Sequence, residues 1–180
     1  MKDLSLEIEI PEKTQAVIEK GIVLIKGPKG ELKRKLVDPK IKIEVKDNKI
    51  GISSKEAKRN YKRVIGTFRA HINNMIHGVN QGYTYKLKVC SGHFPMSVKL
   101  EGKKLVIKNF LGEKIPREAK ILDNVKVELQ GDLIILEGLD RETVGQTAGN
   151  IELATRITNR DRRIFQDGIY IIDKSEGVAK

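Results

Sequence analysis

The chain repeats itself once, and this internal duplication limits its possible folds more than any other feature of its 180 residues. Val23-Leu-Ile-Lys26 matches Leu105-Val-Ile-Lys108, and Gly30-Glu31 matches Gly112-Glu113, both at a separation of 82 residues. Five more apolar positions align at a separation of 84, namely Ile41, Ile43, Val45, Ile50 and Ile52 with Val125, Val127, Leu129, Ile134 and Leu136. This spacing is longer than that of solenoid repeats, and only two copies are present. The sequence therefore predicts two tandem domains, residues 1–82 and residues 83–176, followed by a short polar tail at residues 177–180.

Each half predicts the same order of elements, short strands followed by one helix. In the first half, the alternation of Leu4–Ile10 and turn residues at 27–30 and 47–49 indicate antiparallel strands. A long helix capped by Ser54 is expected next. Its apolar face is predicted to contain Ala57, Tyr61, Val64, Ile65, Phe68, Ile72, Met75, Ile76 and Val79. The second half predicts strands at Tyr83–Val89, Val98–Leu100, Leu105–Lys108, Val125–Leu129 and Leu133–Leu136, then a second helix. The expected class is α+β, with a mostly antiparallel β-sheet packed against one main α-helix in each duplicated domain.

The chain is strongly basic, with a formal net charge of +11 from 35 Lys and Arg residues against 24 Asp and Glu residues. A charge of this sign favours an anionic partner, either nucleic acid or an anionic membrane. The longest apolar runs are only about four residues, far too short to span a bilayer, so no membrane association is expected. The charge is unequally shared, because residues 1–82 carry +8 and residues 83–180 carry +3.

Cysteine usage and the N-terminal segment indicate the compartment. Cys90 is the single cysteine, so an intramolecular disulfide is impossible and a reducing environment fits best. Acidic residues interrupt the first residues, where a signal peptide would be continuously apolar. We therefore expect a cytoplasmic protein.

The stretch Gly138–Ile172 predicts a helix, an arginine cluster and a tight hairpin. Asp140 is expected to cap the helix. Gly145 and Gly149 lie one turn apart, which suggests the close approach of another backbone. The cluster that follows contains Arg156, Arg160, Arg162 and Arg163. Closely spaced guanidiniums suit phosphate oxygens, although the same arginines could be solvated or paired with Asp161, Asp167 and Asp173. We favour nucleic acid as the partner of this cluster.

The loop Ser91-Gly-His-Phe-Pro95 offers a hydroxyl group, an imidazole and an aromatic ring. A catalytic interpretation would need Cys90 or Ser91 as nucleophile and His93 as base. Nothing in the sequence indicates a third, orienting residue, so we expect no enzymatic activity and no catalytic residue. The three histidines and one cysteine lack the paired spacing of a zinc site, and no Walker loop is present. Neither a metal nor a cofactor is expected.

A basic face is also predicted on the first helix, from Lys55, Lys58, Arg59, Lys62, Arg63 and Arg69. Charged faces are usual on surface helices, so a solvated face and a binding face are equally consistent with this pattern.

Taken together, these residues resemble the universal large-subunit ribosomal protein family numbered six in bacteria and nine in eukaryotes, in its archaeal form. Asp140–Ala148, D-R-E-T-V-G-Q-T-A, resembles the family's Asp-Lys-x-x-Ile-Gly-Gln-x-Ala helix start. Asn159–Ile171, N-R-D-R-R-I-F-Q-D-G-I-Y-I, resembles the archaeal and eukaryotic signature. Ser91–Pro95 is similar to the family's Gly-Phe-Ser-His-Pro loop, with the polar residues permuted. The bacterial form ends in a glycine- and lysine-rich segment that this chain replaces with a nearly neutral tail, so contacts of that segment do not carry over.

The resemblance implies a structural constituent of the large ribosomal subunit, a monomer within the ribosome. It implies that the second domain binds large-subunit rRNA near the translation-factor-binding centre and the stalk base, beside neighbouring ribosomal proteins. The arginines and Lys174 would neutralise phosphates, and His93, Phe94 and the Gly92 backbone would enter an RNA groove or loop. Gln146, expected in the first turn of the second helix, would donate to a phosphate. The complete set of expected rRNA-binding residues is Ser91, Gly92, His93, Phe94, Lys103, Gln146, Arg156, Arg160, Arg162, Arg163, Tyr170 and Lys174.

Two other hypotheses come from different functional classes. A basic adaptor would use the first domain to hold an acidic protein partner, and its complex would survive nuclease treatment. An enzyme centred on Cys90 and His93 would require a reactive thiol.

Overall fold

The computed structural model describes residues 4–46, 48–56 and 58–176. The chain divides into two compact units, Met1–Gly82 and Tyr83–Lys180, called unit 1 and unit 2 below. Asp47 in a predicted turn, Ala57 on the predicted helix face and the predicted tail at residues 177–180 lie outside the described residues.

The described residues of unit 1 form six strands and one helix. Its elements are β1 (Leu4–Glu9), β2 (Gln15–Glu19), β3 (Ile22–Gly27), β4 (Gly30–Lys35), β5 (Ile41–Lys46), β6 (Lys49–Ser54) and α1 (Arg59–Asn80). The strands form two three-stranded antiparallel sheets, in the orders β1-β6-β5 and β2-β3-β4.

The core of unit 1 is built from alternate strand residues and one face of α1. Ile50 and Ile52, two residues apart on β6, are fully buried because successive side chains of a strand point to opposite faces. The helix buries Ile65, Phe68, Ile72, Met75, Ile76 and Val79, as its apolar spacing predicted. Burial of each large apolar side chain stabilises the fold by at most about 1.5–3 kcal/mol.

Unit 2 repeats this order and adds one strand. Its elements are β7 (Tyr83–Cys90), β8 (Ser97–Glu101), β9 (Lys104–Lys108), β10 (Arg117–Lys120), β11 (Val125–Gln130), β12 (Leu133–Gly138), α2 (Arg141–Ala154) and β13 (Gly168–Glu176). The sheets have the orders β10-β9-β8 and β11-β12-β7-β13. The added strand β13 pairs antiparallel with β7, so β7 is flanked on both sides.

The strand register confirms the duplication. Ile43 lies opposite Ile52 in unit 1, and Val127 lies opposite Leu136 in unit 2, so the residues aligned in the sequence occupy equivalent ladder positions. The predicted α+β class with two duplicated domains is confirmed. Each unit divides its strands between two small sheets, which the sequence did not indicate.

Several local predictions were wrong. Ser54 ends β6 and does not cap α1, which begins at Arg59 after Lys58 without any side-chain cap. The hydroxyl of Ser54 instead accepts a hydrogen bond from the Glu56 N–H at 3.3 Å, which turns the chain before the helix. No hairpin follows the arginines, because β13 pairs with the distant strand β7. The strands β2 and β10 were not predicted.

The N-cap of α2 lies at the predicted residue, but the two glycines of the helix do not have the predicted role. Asp140 is the N-cap and accepts a hydrogen bond from the Glu142 N–H at 3.0 Å. A Cβ at Gly145 would meet only the Tyr85 ring, at 3.7 Å, and a Cβ at Gly149 would meet nothing within 4 Å. Among the described residues, no backbone approaches α2 at these glycines.

Candidate nucleic-acid interface

The four predicted arginines lie on an irregular segment, residues 155–167, that joins α2 to β13; we call it the arginine loop. Its two ends are tied together inside the protein. The buried Thr155 hydroxyl accepts a hydrogen bond from the Ile169 N–H at 2.9 Å. Because both ends are fixed, the arginine loop projects from a defined base.

Arg117 holds the C-terminal end of α2, a role that was not predicted from the sequence. Its Nη1 donates to the carbonyl oxygens of Ala154 and Arg156, at 2.9 and 3.1 Å. Its Nε and Nη2 donate to the two carboxylate oxygens of Glu113, at 2.7 and 2.6 Å. The guanidinium also lies 4.3 Å from the centroid of the Phe110 ring. The hydrogen bond from Arg117 lowers the pKa of Glu113, so the pair stays ionised.

The four arginines of the arginine loop are exposed, and among the described residues a single carboxylate forms an ion pair with one of them. Arg163 pairs with Asp161, with Nη2 and Oδ2 2.8 Å apart, and its side chain remains 90% exposed. The hydrogen bonds from Arg163 lower the pKa of Asp161. Arg156 and Arg162 make no side-chain hydrogen bond or ion pair with any described residue. An exposed ion pair contributes little to stability, so Arg163 can exchange Asp161 for a phosphate.

A buried carboxylate joins the Ser91–Pro95 loop to the arginine loop. Asp167 is 2% exposed and accepts hydrogen bonds from the Gly92 and His93 N–H groups, at 2.6 and 2.9 Å. Its other oxygen lies 2.6 Å from Nδ1 of His93. Burial alone would raise the pKa of Asp167, but the hydrogen bonds from His93 and Gly92 outweigh burial and lower it. Asp167, one of the carboxylates considered as a partner for the arginines, is thus committed to His93 and Gly92.

Phe165 brings the imidazole and a guanidinium to the same place. The His93 and Phe165 rings are stacked, with centroids 4.7 Å apart and planes inclined by 29°. The Arg160 guanidinium lies 4.9 Å from the centroid of the Phe165 ring, within the range of a cation–π contact. His93, Phe165 and Arg160 therefore form one cluster from two segments distant in sequence.

An open groove runs beside this cluster. It is lined by Cys90, Ser91, Gly92, His93, Ile164, Gln166, Asp167 and Tyr170. The Tyr170 hydroxyl is 3.3 Å from the carbonyl oxygens of both Gln166 and Asp167, which anchors the end of the arginine loop against β13. An exposed groove with arginines beside it suits a polyanion better than a small ligand that must be enclosed.

The other predicted residues occupy different positions. Phe94 is 45% exposed, with its ring beside Gly112, and Lys174 is exposed on β13 without a side-chain partner among the described residues. Lys103, in the turn between β8 and β9, pairs with Asp123. Gln146 lies in the second turn of α2, not the first as predicted, and donates to Asn150 at 2.9 Å. Glu142 occupies the first turn, which disfavours a phosphate there.

The structure supplies one requirement of the catalytic hypothesis, a residue that orients His93, but not the other, an activated nucleophile. Asp167 orients His93, a role that nothing in the sequence indicated. In the described part of the chain, however, neither Cys90 nor Ser91 hydrogen-bonds to His93, so no nucleophile is activated. No group of three or more potential metal-ligating side chains occurs among the described residues.

No described helix is both long enough and apolar enough to cross a membrane.

Comparison with known proteins gives consistent matches over nearly the whole chain. A model of the family described as "Ribosomal protein L6" matches residues 10–82 and 94–168, one stretch in each unit. The large ribosomal subunit protein uL6 of Methanosarcina mazei is 46% identical over 175 residues, which cover 97% of this chain and 99% of that protein. The large ribosomal subunit protein uL6 of Methanococcus vannielii is 46% identical over 169 residues, covering 94% and 93% respectively.

Proposed function

We propose, from the premise that this chain belongs to the ribosomal protein L6 family, that unit 2 binds large-subunit rRNA near the translation-factor-binding centre and stalk base. The family is structural and non-enzymatic, so the chain is a structural constituent of the large ribosomal subunit in the cytoplasmic ribosome. Neighbouring ribosomal proteins, including those of the stalk base, complete its proposed surroundings, where it acts as a monomer.

One observation carries the proposal for unit 2, the junction that Asp167 makes between the Ser91–Pro95 loop and the arginine loop. Its three hydrogen bonds hold Gly92 and His93 in place before any ligand arrives, and the stacking of His93 on Phe165 brings the Arg160 guanidinium beside them. A surface that is already ordered loses little conformational entropy on binding. This favours recognition of a fixed RNA shape.

In the proposed mechanism, one set of residues neutralises the charge of the RNA phosphates and another recognises the shape of the RNA. Arg156, Arg160, Arg162 and Arg163 neutralise phosphates and release counterions. His93, Phe94 and the exposed backbone at Ser91 and Gly92 enter an RNA groove or loop, where hydrogen bonds and limited stacking recognise its shape. Tyr170 supports the groove. Lys103 and Lys174 add positive charge elsewhere on unit 2. Gln146 is proposed as an RNA contact only because its side-chain amide is exposed.

The salt dependence of binding to an rRNA fragment tests this proposal. With about six phosphates contacted, affinity should fall by roughly 10³-fold or more between about 50 and 200 mM salt. The variant Arg160→Ala/Arg162→Ala/Arg163→Ala should reduce the slope of log K against log salt by about two to three. The matched control Lys99→Ala/Lys108→Ala/Lys114→Ala removes the same charge from unit 2 outside the groove. Equal slopes for the two variants would exclude the arginine loop from the interface.

The adaptor hypothesis makes the opposite prediction in a separate experiment. If unit 1 holds an acidic protein, the complex recovered from cells should persist after complete nuclease digestion. Under our proposal, nuclease should release the chain from its partners.

A further inference from the structure

We infer that the outer face of α1 is a second, sequence-independent binding surface for the phosphate backbone of duplex RNA. We define this face by Arg59, Lys62, Arg63, Gly66, Arg69 and Ala70, all of which are exposed. The inference rests on the proposed function, because it takes rRNA as the polymer the protein binds, and it assigns unit 1 a contact of its own.

The residues of the α1 outer face lie together because of their spacing. At 3.6 residues per turn, they share an arc of about 120°, opposite the buried positions Ile65, Phe68 and Ile72. Arg59 and Arg69 are separated by about 15 Å along the axis, since each residue rises about 1.5 Å. The cations thus form a track along the first half of the helix.

Among the described residues, no acidic side chain compensates the positive charge of this track. The sequence contains no Asp or Glu between Glu56 and Glu101, and α1 carries four Lys and Arg residues without an acid. The Arg63 Nη2 donates to the amide oxygen of Asn60 at 2.6 Å, which orients the guanidinium and leaves its charge uncompensated. The side chains of Arg59, Lys62 and Arg69 have no hydrogen bond or ion pair with any residue the structure describes.

The centre of the track has almost no side-chain bulk. A glycine inside a helix costs about 0.5–1 kcal/mol relative to alanine, and a Cβ at Gly66 would meet nothing within 4 Å. The fold of unit 1 therefore does not require Gly66. Together with Ala70, it leaves a shallow gap between flanking cations, through which a rigid backbone can approach α1.

The helix α2, which is the counterpart of α1 in unit 2, shows that the fold does not require the positive charge of α1. The helix α2 has one Arg and two Glu residues, so it carries a net charge of −1 where α1 carries +4. Both helices bury an apolar face in the core of their unit but differ on the outside. The charge of α1 therefore belongs to a function specific to unit 1.

Duplex RNA fits the α1 outer face better than the other anionic partners. A membrane-bound helix inserts its apolar face into the lipid, but the apolar face of α1 is buried in the core of unit 1. A regular phosphate backbone presents continuous negative charge along a track of this length, and proteins recognise duplex RNA largely through its shape and phosphates.

The test compares three full-length proteins for binding to an RNA duplex of about 20 base pairs and arbitrary sequence. The variant Arg59→Gln/Lys62→Gln/Arg69→Gln should reduce the slope of log K against log salt by about two to three. The control Lys13→Gln/Lys35→Gln/Lys42→Gln removes equal charge from exposed positions of unit 1 away from α1. Equal slopes for the variant and this control would overturn the inference.

A second variant tests the gap at Gly66 without changing any charge. Gly66→Gln should raise the thermal unfolding temperature, because it replaces a helix glycine, and should lower RNA affinity by several-fold, because its side chain fills the gap. Unchanged affinity would contradict the role of the gap. Gly66→Ala is the matched control, with the same direction of stability change and little added bulk.

The two proposals fail separately. If only the Arg160/Arg162/Arg163 variant has a smaller salt slope than its control, the proposed function is supported and the inference for α1 is overturned. If only the α1 variant has a smaller salt slope than its control, the inference is supported and the arginine loop is excluded from the interface. Neither the wild type nor the α1 variant should bind vesicles of anionic lipid, because the apolar face of α1 is buried. Vesicle binding that depends on the cations of α1 would overturn duplex RNA as the partner.

Discussion

Asp167 sets the geometry of the groove by holding the Ser91–Pro95 loop against the end of the arginine loop. Its carboxylate accepts two backbone N–H groups and faces the His93 ring, so loss of this group affects loop position first. A hydrogen bond to a charged group contributes about 1.5–3 kcal/mol. Asp167 is therefore a positioning residue for His93 and for the end of the arginine loop.

Acid should weaken unit 2 through Asp167. Because its folded-state pKa lies below the ordinary value of about 3.9, the carboxylate stabilises the fold fully above that value. The stabilisation is lost as pH falls through the lower folded-state pKa. Asp167→Asn should reduce the free energy of unfolding by about 1.5–3 kcal/mol at pH 6, and the difference from wild type should shrink below about pH 4. Urea denaturation of both proteins between about pH 2.5 and 6 measures this difference.

Asp132→Asn, which removes an exposed carboxylate outside the groove, serves as the control for the acid experiment. A pH-independent deficit in Asp167→Asn would contradict the assigned role of the carboxylate.

At the scale of elements, α2 and the arginine loop depend on a strand that the sequence did not reveal. Arg117 opens β10 and reaches the last carbonyls of α2, so the end of the helix is held from outside. A lysine carries one ammonium group and cannot reproduce this planar, multiply bonded arrangement.

Arg117→Lys should loosen the exit of α2. We expect a loss of about 1–3 kcal/mol in unfolding free energy, because buried or half-buried acceptors lose their donors. Hydrogen exchange at the Thr155 and Arg156 amides, which donate to carbonyls of the last helical turn, should accelerate. Lys104→Ala, which breaks the exposed pair with Glu118, is the control and should change stability by less than about 1 kcal/mol. Unchanged exchange in Arg117→Lys would show that α2 ends without this clamp.

Elements with strong periodicity were predictable, and those fixed by distant contacts were not. The buried faces of α1 and α2 and the strand pairs around Gly27–Gly30 and Gly131 follow from local spacing and turn residues. The strand β2 was missed because Ala16, Val17 and Ile18 form a continuous apolar run, although only alternate residues pack inward. In the candidate site, the exposed arginines were visible in the sequence. Their link through Asp167 to a loop 74 residues earlier was not, because no local pattern encodes that contact.

At the scale of the whole molecule, each unit contains its own hydrophobic core. The buried cluster around Ile50, Ile65 and Ile72 consists of unit 1 residues, and the cluster around Leu87, Ile134 and Ile151 consists of unit 2 residues. The duplication therefore gave two separately packed structures, which could then diverge on their surfaces.

Because the cores are separate, fragments 1–82 and 83–180 should each fold alone. Each should show a cooperative thermal transition by circular dichroism, since its buried apolar residues need no partner from the other fragment. A matched fragment cut inside unit 2, at residues 83–155, lacks β13 and should not show one. Failure of either complete fragment to unfold cooperatively would mean that its core alone is insufficient.

The placement of β13 also has a consequence for the order of events during translation. Asp167 and β13 come after every other described element, yet they complete the sheet beside β7 and fix the loop that follows it. A nascent chain that has released only α2 already carries the basic helix of unit 1, but its second surface does not yet exist. The newly made protein would therefore gain its two proposed binding surfaces one after the other, and the surface of unit 2 would form only after β13 has emerged.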